Sequence, residues 1–237
     1  MNNEVAKTRP SIIMLAFSTI THILLLAPVI YIVVLSLQPF IFFSWHVICS
    51  TLGVGLLTME GVFCVSGDAY MKWKVSRMNR GLIHLILHLI GLLLILIGMI
   101  IIILGKIEYK KSHFVSFHGI ISLIGIIFAI LIAASGFVVI FDKCLYHGCI
   151  RPVIMKIMHS FGGILATILL LAGLITGIYT GWWPGTCLGR SLTVASFLIA
   201  ACYIFLKPIL GIISRCKVLF AEVPNDMNNE EELNNEY

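Results

Sequence analysis

The 237-residue sequence contains few charged side chains. Only 11% of its residues are Asp, Glu, Lys or Arg, whereas 59% are hydrophobic, and its mean hydropathy is +1.05. Soluble domains usually contain about 25% charged residues, so this chain has too little polar surface to face water on all sides. The scarcity of charge excludes an ordinary soluble domain and favours a membrane protein.

Cysteine motifs for metals and covalent haem are also absent. The seven cysteines form no C-x-x-C pair and no C-x-x-C-H sequence, so zinc ribbons and c-type haem have no support. The apolar stretches contain only one clearly internal acidic residue, Glu60. The net charge of +5 does not mark a nucleic-acid surface, because the basic residues lie in short links between apolar stretches. We predict no nucleic-acid partner.

What the sequence does contain is long apolar runs. A helix needs about 20 apolar residues to cross a bilayer, and the runs predict six such helices. They lie near residues 11–37, 40–66, 81–105, 114–141, 153–180 and 188–213. We therefore predict an all-α integral membrane protein with a membrane domain at residues 11–213, after an N-terminal segment at residues 1–10. The polar, acidic tail at residues 214–237 is predicted to be disordered.

The basic residues predict the orientation of these helices. The two termini and the even-numbered links contain 12 Lys and Arg residues, whereas the odd-numbered links contain four. Lys and Arg accumulate on the cytoplasmic side of membrane proteins. Both termini are therefore predicted to be cytoplasmic.

Four histidines have matched positions near the starts of neighbouring spans. His46 and His118 open spans two and four, whereas His84 and His159 open spans three and five. Even-numbered spans start on the outer side and odd-numbered spans on the cytoplasmic side. The four histidines are thus predicted to form two pairs at two depths, His46 with His118 and His84 with His159.

Ionisable side chains inside a membrane are costly and usually functional. Two imidazoles on neighbouring helices can hold a haem iron from both faces. Three alternatives stay open from the residues alone. The histidines could form hydrogen bonds between helices, they could line a haem-free metal-ion transporter, or the bundle could be a non-catalytic scaffold.

Several short segments around these histidines resemble the cytochrome b561 family. They are Phe43-Ser44-Trp45-His46, Thr58-Met59-Glu60, Leu82-Ile83-His84, Phe117-His118-Gly119, and Lys156-Ile157-Met158-His159 followed by Phe161-Gly162-Gly163. The resemblance covers about residues 40–183. No single segment is specific, but the ordered set of four histidines is.

The resemblance implies a fold, a cofactor and an activity. Helices two to five would form a four-helix core that holds two haems b. His84 and His159 would bind the inner haem, and His46 and His118 the outer one. Cytoplasmic ascorbate would reduce the inner haem, and monodehydroascorbate or ferric chelates would accept the electron outside. The chain would be an ascorbate-dependent transmembrane oxidoreductase.

The resemblance also suggests substrate-binding residues and a location. Ascorbate is an anion, so basic residues near the cytoplasmic ends of spans three and five are candidates to bind it. The candidates are Arg77, Arg80 and Lys156 on the cytoplasmic side, and His113 on the outer side. We further expect contact with membrane lipid, a homodimer, and an endomembrane location such as the endoplasmic reticulum or a vesicle, with the plasma membrane as the alternative.

Overall fold

The computed structural model describes the backbone of residues 9–145 and 152–235, and the side chains of residues 9–137 and 153–220. The predicted cytoplasmic N-terminal segment therefore lies almost entirely outside the described residues, as does Arg151, one of the basic residues counted above. Within the described ranges the chain contains helices and turns and no β-strand.

Residues 9–145 and 152–235 form eight α-helices and one π-helical segment. In chain order they are α1 (Ile12–Ser36), α2 (Phe42–Ser50), a π-helix (Thr51–Thr58), α3 (Met59–Ser66), α4 (Ala69–Lys74), α5 (Arg77–Glu108), α6 (Phe117–Leu145), α7 (Pro152–Ile178) and α8 (Cys187–Asn235). Helix α2, the π-helix and α3 are continuous and together form span two.

Among the described residues, six helical stretches are long and apolar enough to cross a membrane, which confirms the predicted number of spans. The third span starts earlier than predicted, at Arg77, because the Ser76 hydroxyl caps the helix by accepting a hydrogen bond from the Asn79 amide at 3.2 Å. The short helix α4, in the link before it, was not predicted from the sequence.

The last helix also differs from the prediction. Its backbone is helical up to Asn235, whereas we predicted the sixth span to end near residue 213 and the following tail to be disordered. Extending an existing helix fixes one residue for each hydrogen bond gained, so continuation is far easier than a new start. Few residues between 214 and 235 break helices, Pro224 being the exception.

Span two changes its winding near its middle. From Thr51 to Thr58 the backbone is π-helical, a form usually limited to a single wide turn. The Thr58 hydroxyl donates to the Gly53 carbonyl, five residues earlier, at 2.8 Å. This segment also approaches span three closely, because a Cβ at Gly53 would lie 2.7 Å from the Gly91 carbonyl oxygen. The absence of a side chain at Gly53 therefore allows the two backbones to touch.

Spans two to five meet in a small apolar cluster at the centre of the bundle. Each of the four spans contributes one buried residue, and these are Val54, Ile95, Ile126 and Leu170. A larger apolar core joins α1 and α8 to one side of spans two and five, with Phe63 and Phe197 fully buried in it. Helices α1 and α8 thus cover one side of the predicted four-helix core.

Candidate functional site

His46 and His118 lie opposite each other across the bundle. His46 belongs to α2 and His118 to α6, and their ring centroids are 6.3 Å apart with an interplanar angle of 80°. The structure therefore confirms that these two side chains lie close together. Both rings are partly buried.

Backbone carbonyls fix the orientation of both rings. Nδ1 of His46 lies 2.8 Å from the Gly98 carbonyl oxygen, and Nδ1 of His118 lies 2.9 Å from that of Gly173. A carbonyl oxygen can only accept, so in each ring Nδ1 carries the hydrogen and donates it. Nε2 is then unprotonated and is the nitrogen available to a metal ion.

His84 and His159 form a second pair with the same spacing. His84 belongs to α5 and His159 to α7, and their ring centroids are also 6.3 Å apart, with an interplanar angle of 74°. Nδ1 of His84 donates to the Gly61 carbonyl oxygen at 2.7 Å. The two pairs are thus related by similar geometry, and each draws one histidine from spans two or three and one from spans four or five.

The orientation of His159 rests on a hydroxyl group instead of a carbonyl. Its Nδ1 lies 3.2 Å from the Ser135 hydroxyl oxygen, which donates its own hydrogen to the Ile132 carbonyl at 2.8 Å. The serine therefore accepts from Nδ1 of His159. This arrangement also leaves Nε2 of His159 free.

A fifth histidine accompanies the second pair. The ring centroid of His88 lies 4.4 Å from that of His84. Its Nε2 is buried and has no hydrogen-bond partner among the described residues. Buried polar nitrogens are nearly always paired, so this atom is available to a polar group in the cavity that His88 lines.

Each pair lines its own apolar cavity. The cavity around His46 and His118 has a volume of about 290 Å³, and the cavity around His84 and His159 has a volume of about 590 Å³. Cofactor sites usually occupy roughly 300–1,000 Å³ and are mainly apolar with a few polar groups. We call them the outer and inner cavities, following the predicted orientation of the helices.

Ile95 and Leu170 line both cavities. They belong to the central apolar cluster of spans two to five, together with Val54 and Ile126. A single layer of aliphatic side chains therefore separates the two cavities. Groups bound in them would be close but not in contact.

The donor set of each cavity fits a bis-histidine haem. Two metal–nitrogen bonds of about 2 Å each account for most of the 6.3 Å between ring centroids, and the radii of the rings account for the rest. Among the described residues, His, Cys, Asp and Glu side chains form no group of three or more that could hold a metal ion.

Glycines face one histidine of each pair. A Cβ at Gly177 would lie 3.0 Å from Cε1 of His118, and a Cβ at Gly136 would lie 3.2 Å from Cε1 of His159. Both distances are shorter than ordinary contacts between carbon atoms. The absence of a side chain at these positions makes room for the imidazoles.

The predicted substrate residues have unequal positions. His113 lines the outer cavity, as does Lys106, a basic residue of the third predicted link. Neither Arg77, Arg80 nor Lys156 is among the residues that line the inner cavity, whereas Met78 and Asn79 are. Asn79 was missed because an uncharged amide near a helix start resembles an ordinary link residue.

Glu60, the acidic residue inside span two, has a partner in the first span. Its carboxylate lies 2.8 Å from Nδ1 of His22, and the buried carboxylate of Asp68 lies 3.4 Å from Nε2 of the same ring. His22 had no predicted partner. The contact was missed because Asp68 follows the end of α3, outside the apolar run, and only the folded chain brings it to α1.

Comparison with known proteins supplies independent information. A family model described as eukaryotic cytochrome b561 matches residues 45–184, more than half of the chain. The chain is similar to transmembrane reductase CYB561D2 of Mus musculus and of Homo sapiens. Each is 27% identical over 174 residues, which cover 73% of this chain and 78% of the relative. The Bos taurus protein of that name is 27% identical over 168 residues, 71% of this chain and 75% of the relative. The matched family segment contains all four paired histidines.

Proposed function

The chain belongs to the eukaryotic cytochrome b561 family, and from that premise we propose that it carries electrons from cytoplasmic ascorbate, through two haems b, to monodehydroascorbate or a ferric chelate outside. As a member of this family it is an integral multi-pass membrane protein and an oxidoreductase that uses haem b to transfer electrons across the membrane. The ascorbate donor, the acceptors and the number of haems are our proposal.

One observation carries the proposal. Two histidine pairs have equal spacing, 6.3 Å between ring centroids, and line two cavities on either side of one aliphatic layer. A transmembrane reductase needs two such cofactor sites, because one site cannot reach both faces of a bilayer about 30 Å thick. The arrangement supports two haems in sequence.

We assign His46 and His118 to the outer haem and His84 and His159 to the inner haem. In each case Nε2 would bind the iron, while the hydrogen bond at Nδ1 holds the ring in place. When bound, a bis-histidine haem accepts and releases one electron at its iron, without an open coordination position. The protein's contribution is to orient the imidazoles and to exclude water from both cavities.

Ascorbate would approach the inner cavity from the cytoplasm. Arg77, Arg80 and Lys156 would attract the anion to this face rather than line the cavity, and Nη1 of Arg80 is buried without a hydrogen-bond partner among the described residues. Asn79 at the cavity wall can donate to a bound hydroxyl group. On the outer side, His113 lines the cavity and is a candidate contact for an acceptor.

We also propose an endomembrane location, in the endoplasmic reticulum or a vesicle, with the plasma membrane as the alternative, and a homodimer surrounded by lipid. Light scattering of the protein in detergent tests the dimer. Fluorescence microscopy of a tagged chain, with its tag accessibility measured on each side, tests the location and the cytoplasmic termini.

An absorption spectrum of the purified protein, before and after addition of ascorbate, tests the function. We expect about two haems per chain and sharpened α and β bands after reduction. Folded protein that takes up no haem when haem is supplied would contradict the proposal and would favour a metal-ion transporter. If the protein's role in the cell survives the loss of all four paired histidines, a non-catalytic scaffold would be favoured.

A further inference from the structure

A continuous row of aromatic rings leads away from His46. The Phe43 ring centroid lies 5.4 Å from that of His46, and Trp182 lies 6.4 Å from Phe43. Trp183 follows at 6.0 Å from Trp182. Phe43 and Trp182 line the outer cavity, whereas Trp183 is not among its lining residues. The row therefore connects the cavity wall with the link between α7 and α8.

The guanidinium group of Arg190 lies at the far end of this row. The guanidinium carbon of Arg190 is 5.7 Å from the Trp183 ring centroid and 5.4 Å from that of Tyr179. Contacts of this kind hold a guanidinium group in place without neutralising it. Tyr179 is 57% exposed, so this part of the surface is accessible.

Arg190 has no anionic partner in the described part of the chain. Its Nε is buried and makes no hydrogen bond there, and no salt bridge of its side chain occurs there. A buried donor of a charged group left unpaired costs free energy. The aromatic contacts compensate only part of that cost, so the group is prepared for an anion that arrives from outside.

An aromatic belt at the membrane interface would account for tryptophan and tyrosine here. It would not account for the two other features. One is the ring-to-ring continuity from Arg190 to a residue beside His46, and the other is the unpaired Nε of Arg190. Belt residues need no ring-to-ring continuity toward a histidine inside the bundle.

We infer that Arg190, held by Tyr179 and Trp183, is the docking point for an anionic ferric chelate, and that Trp183, Trp182 and Phe43 link it to His46. The inference rests on the proposed function and names the outer acceptor's site. A guanidinium group matches carboxylates in two-point contact, which favours a carboxylate chelate such as ferric citrate over monodehydroascorbate. One electron reduces one Fe(III) of the chelate to Fe(II), no bond in the protein forms or breaks, and the cytoplasmic donor replaces the electron.

Binding can be measured apart from electron transfer. Gallium(III) citrate has the charge and shape of the ferric chelate but is not reduced under these conditions. Equilibrium dialysis against the oxidised, haem-containing protein should show about tenfold weaker binding for Arg190→Gln, the effect of one charge-assisted contact. Arg190→Lys should recover part of the loss. Lys111→Gln is the matched control, because Lys111 also lies near an aromatic ring, Tyr109, at 5.7 Å, but that ring is not part of the row that leads to His46.

Equal binding by Arg190→Gln and the unaltered protein would overturn the inference, as would an equal loss in Lys111→Gln, which would indicate a general effect of surface charge. The aromatic link has its own test. Trp182→Leu should keep gallium citrate binding but slow ferric citrate reduction several-fold, and Trp45→Leu, whose ring contacts Phe40 outside the row, should not. Equal rates in Trp182→Leu and the unaltered protein would overturn the link.

The proposed function fails by a different result. If the protein binds gallium citrate through Arg190 but ascorbate reduces no haem in it, the function is wrong and the anion site is right. If ascorbate reduces both haems while Arg190→Gln binds normally, the function stands and the site is wrong. The haem spectrum of every variant, recorded first, shows whether the outer cavity is intact.

Discussion

The outer and inner histidine pairs share one spacing but differ in what holds them. Both outer imidazoles donate to backbone carbonyls, those of Gly98 and Gly173. One inner imidazole donates to a carbonyl, whereas His159 depends on the Ser135 hydroxyl. No side-chain substitution removes a carbonyl, but a single substitution removes a hydroxyl. The outer site is therefore fixed by the backbone, and the inner site can be adjusted through a side chain.

The cavities differ in the same sense. The inner cavity is about 590 Å³ and includes His88 with its unpaired Nε2, whereas the outer cavity is about 290 Å³. A larger cavity with a spare polar group tolerates small movements of its contents. We expect the inner site to be the more sensitive to changes in hydrogen bonding and the outer site to changes in packing.

Removing one ligand from each pair should have the largest effect. We expect His118→Ala to lose one haem per chain and transmembrane electron transfer, while ascorbate still reduces the inner haem. His84→Ala should lose reduction by ascorbate altogether, because the electron enters there. Haem content and ascorbate-reduced spectra measure both effects. Unchanged transmembrane transfer in His118→Ala would contradict the order of the two sites.

Packing beside the imidazoles should distinguish the sites next. Gly177→Ala places a methyl group 3.0 Å from Cε1 of His118, and Gly136→Ala places one 3.2 Å from Cε1 of His159. We expect the first change to cost about 2 kcal/mol of haem-loaded stability, as overpacking does, and the second to cost less. Thermal unfolding followed at the Soret band measures this. Gly105→Ala is the control, because its methyl group would lie 3.9 Å from its nearest neighbour, in Phe42. A larger loss of stability in Gly136→Ala than in Gly177→Ala would contradict the expectation that the outer site is the more sensitive to packing.

The hydroxyl group at the inner site provides the third test. Ser135→Ala deprives Nδ1 of His159 of its acceptor, so haem binding at the inner site should weaken by about tenfold, as is typical when such supporting contacts to metal ligands are lost. Ser122→Ala on the same helix is the control, because Ser122 lines the outer cavity and makes no hydrogen bond to His118. Haem titration of each variant gives the affinities. An equal change of haem affinity in both variants would indicate that the Ser135 hydroxyl has no special role in orienting His159.

The smallest effect concerns the cytoplasmic face. Burial, and then the nearby ammonium group of Lys207, lower the pKa of Lys72 to about 8, with Arg80 acting in the same direction and Asp68 against it. Lys72 is therefore charged below pH 8 and loses its charge as the pH rises through that value. Since a positive face attracts ascorbate, KM for ascorbate should rise by about twofold between pH 7 and pH 9.

Steady-state rates across that pH range measure the effect. Lys72→Gln should flatten the profile, whereas Lys74→Gln should not, because Lys74 lies over the Trp73 ring at 3.8 Å and faces the solvent. Binding of the outer acceptor should show no such dependence on Lys72. A profile that persists in Lys72→Gln would assign the titration to another group.

Much of this arrangement could be predicted from the sequence because it depends on regular geometry. Six apolar runs of membrane-spanning length were confirmed as six candidate spans. The direction of alternate spans also predicted which histidines would face each other, and the structure brings His46 to His118 and His84 to His159. Their role as haem ligands stays a prediction.

The unpredicted features depend on contacts between distant segments. Hydrogen bonds from His46 to Gly98 or from His22 to Glu60 require the exact rotation of two helices about their axes. Hydropathy does not define that rotation. The predicted role of Arg77, Arg80 and Lys156 likewise used the side of the membrane but not the direction of each side chain, and none of them lines the inner cavity.

The π-helical segment of span two has a consequence for insertions and deletions. Each residue of an α-helix turns the chain by about 100°, so the wide winding from Thr51 to Thr58 sets the rotation of everything after it relative to His46. A π-helix turns the chain by less per residue, so these eight residues accommodate about one residue more than an α-helix of the same rotation. Rewinding them as ordinary α-helix would turn Glu60 and Gly61 away from His22 and His84, unless one residue were deleted at the same time. A single-residue deletion within this segment should therefore be better tolerated than a single-residue insertion. Span two is best regarded as two helices whose relative phase is fixed by the number of residues between them.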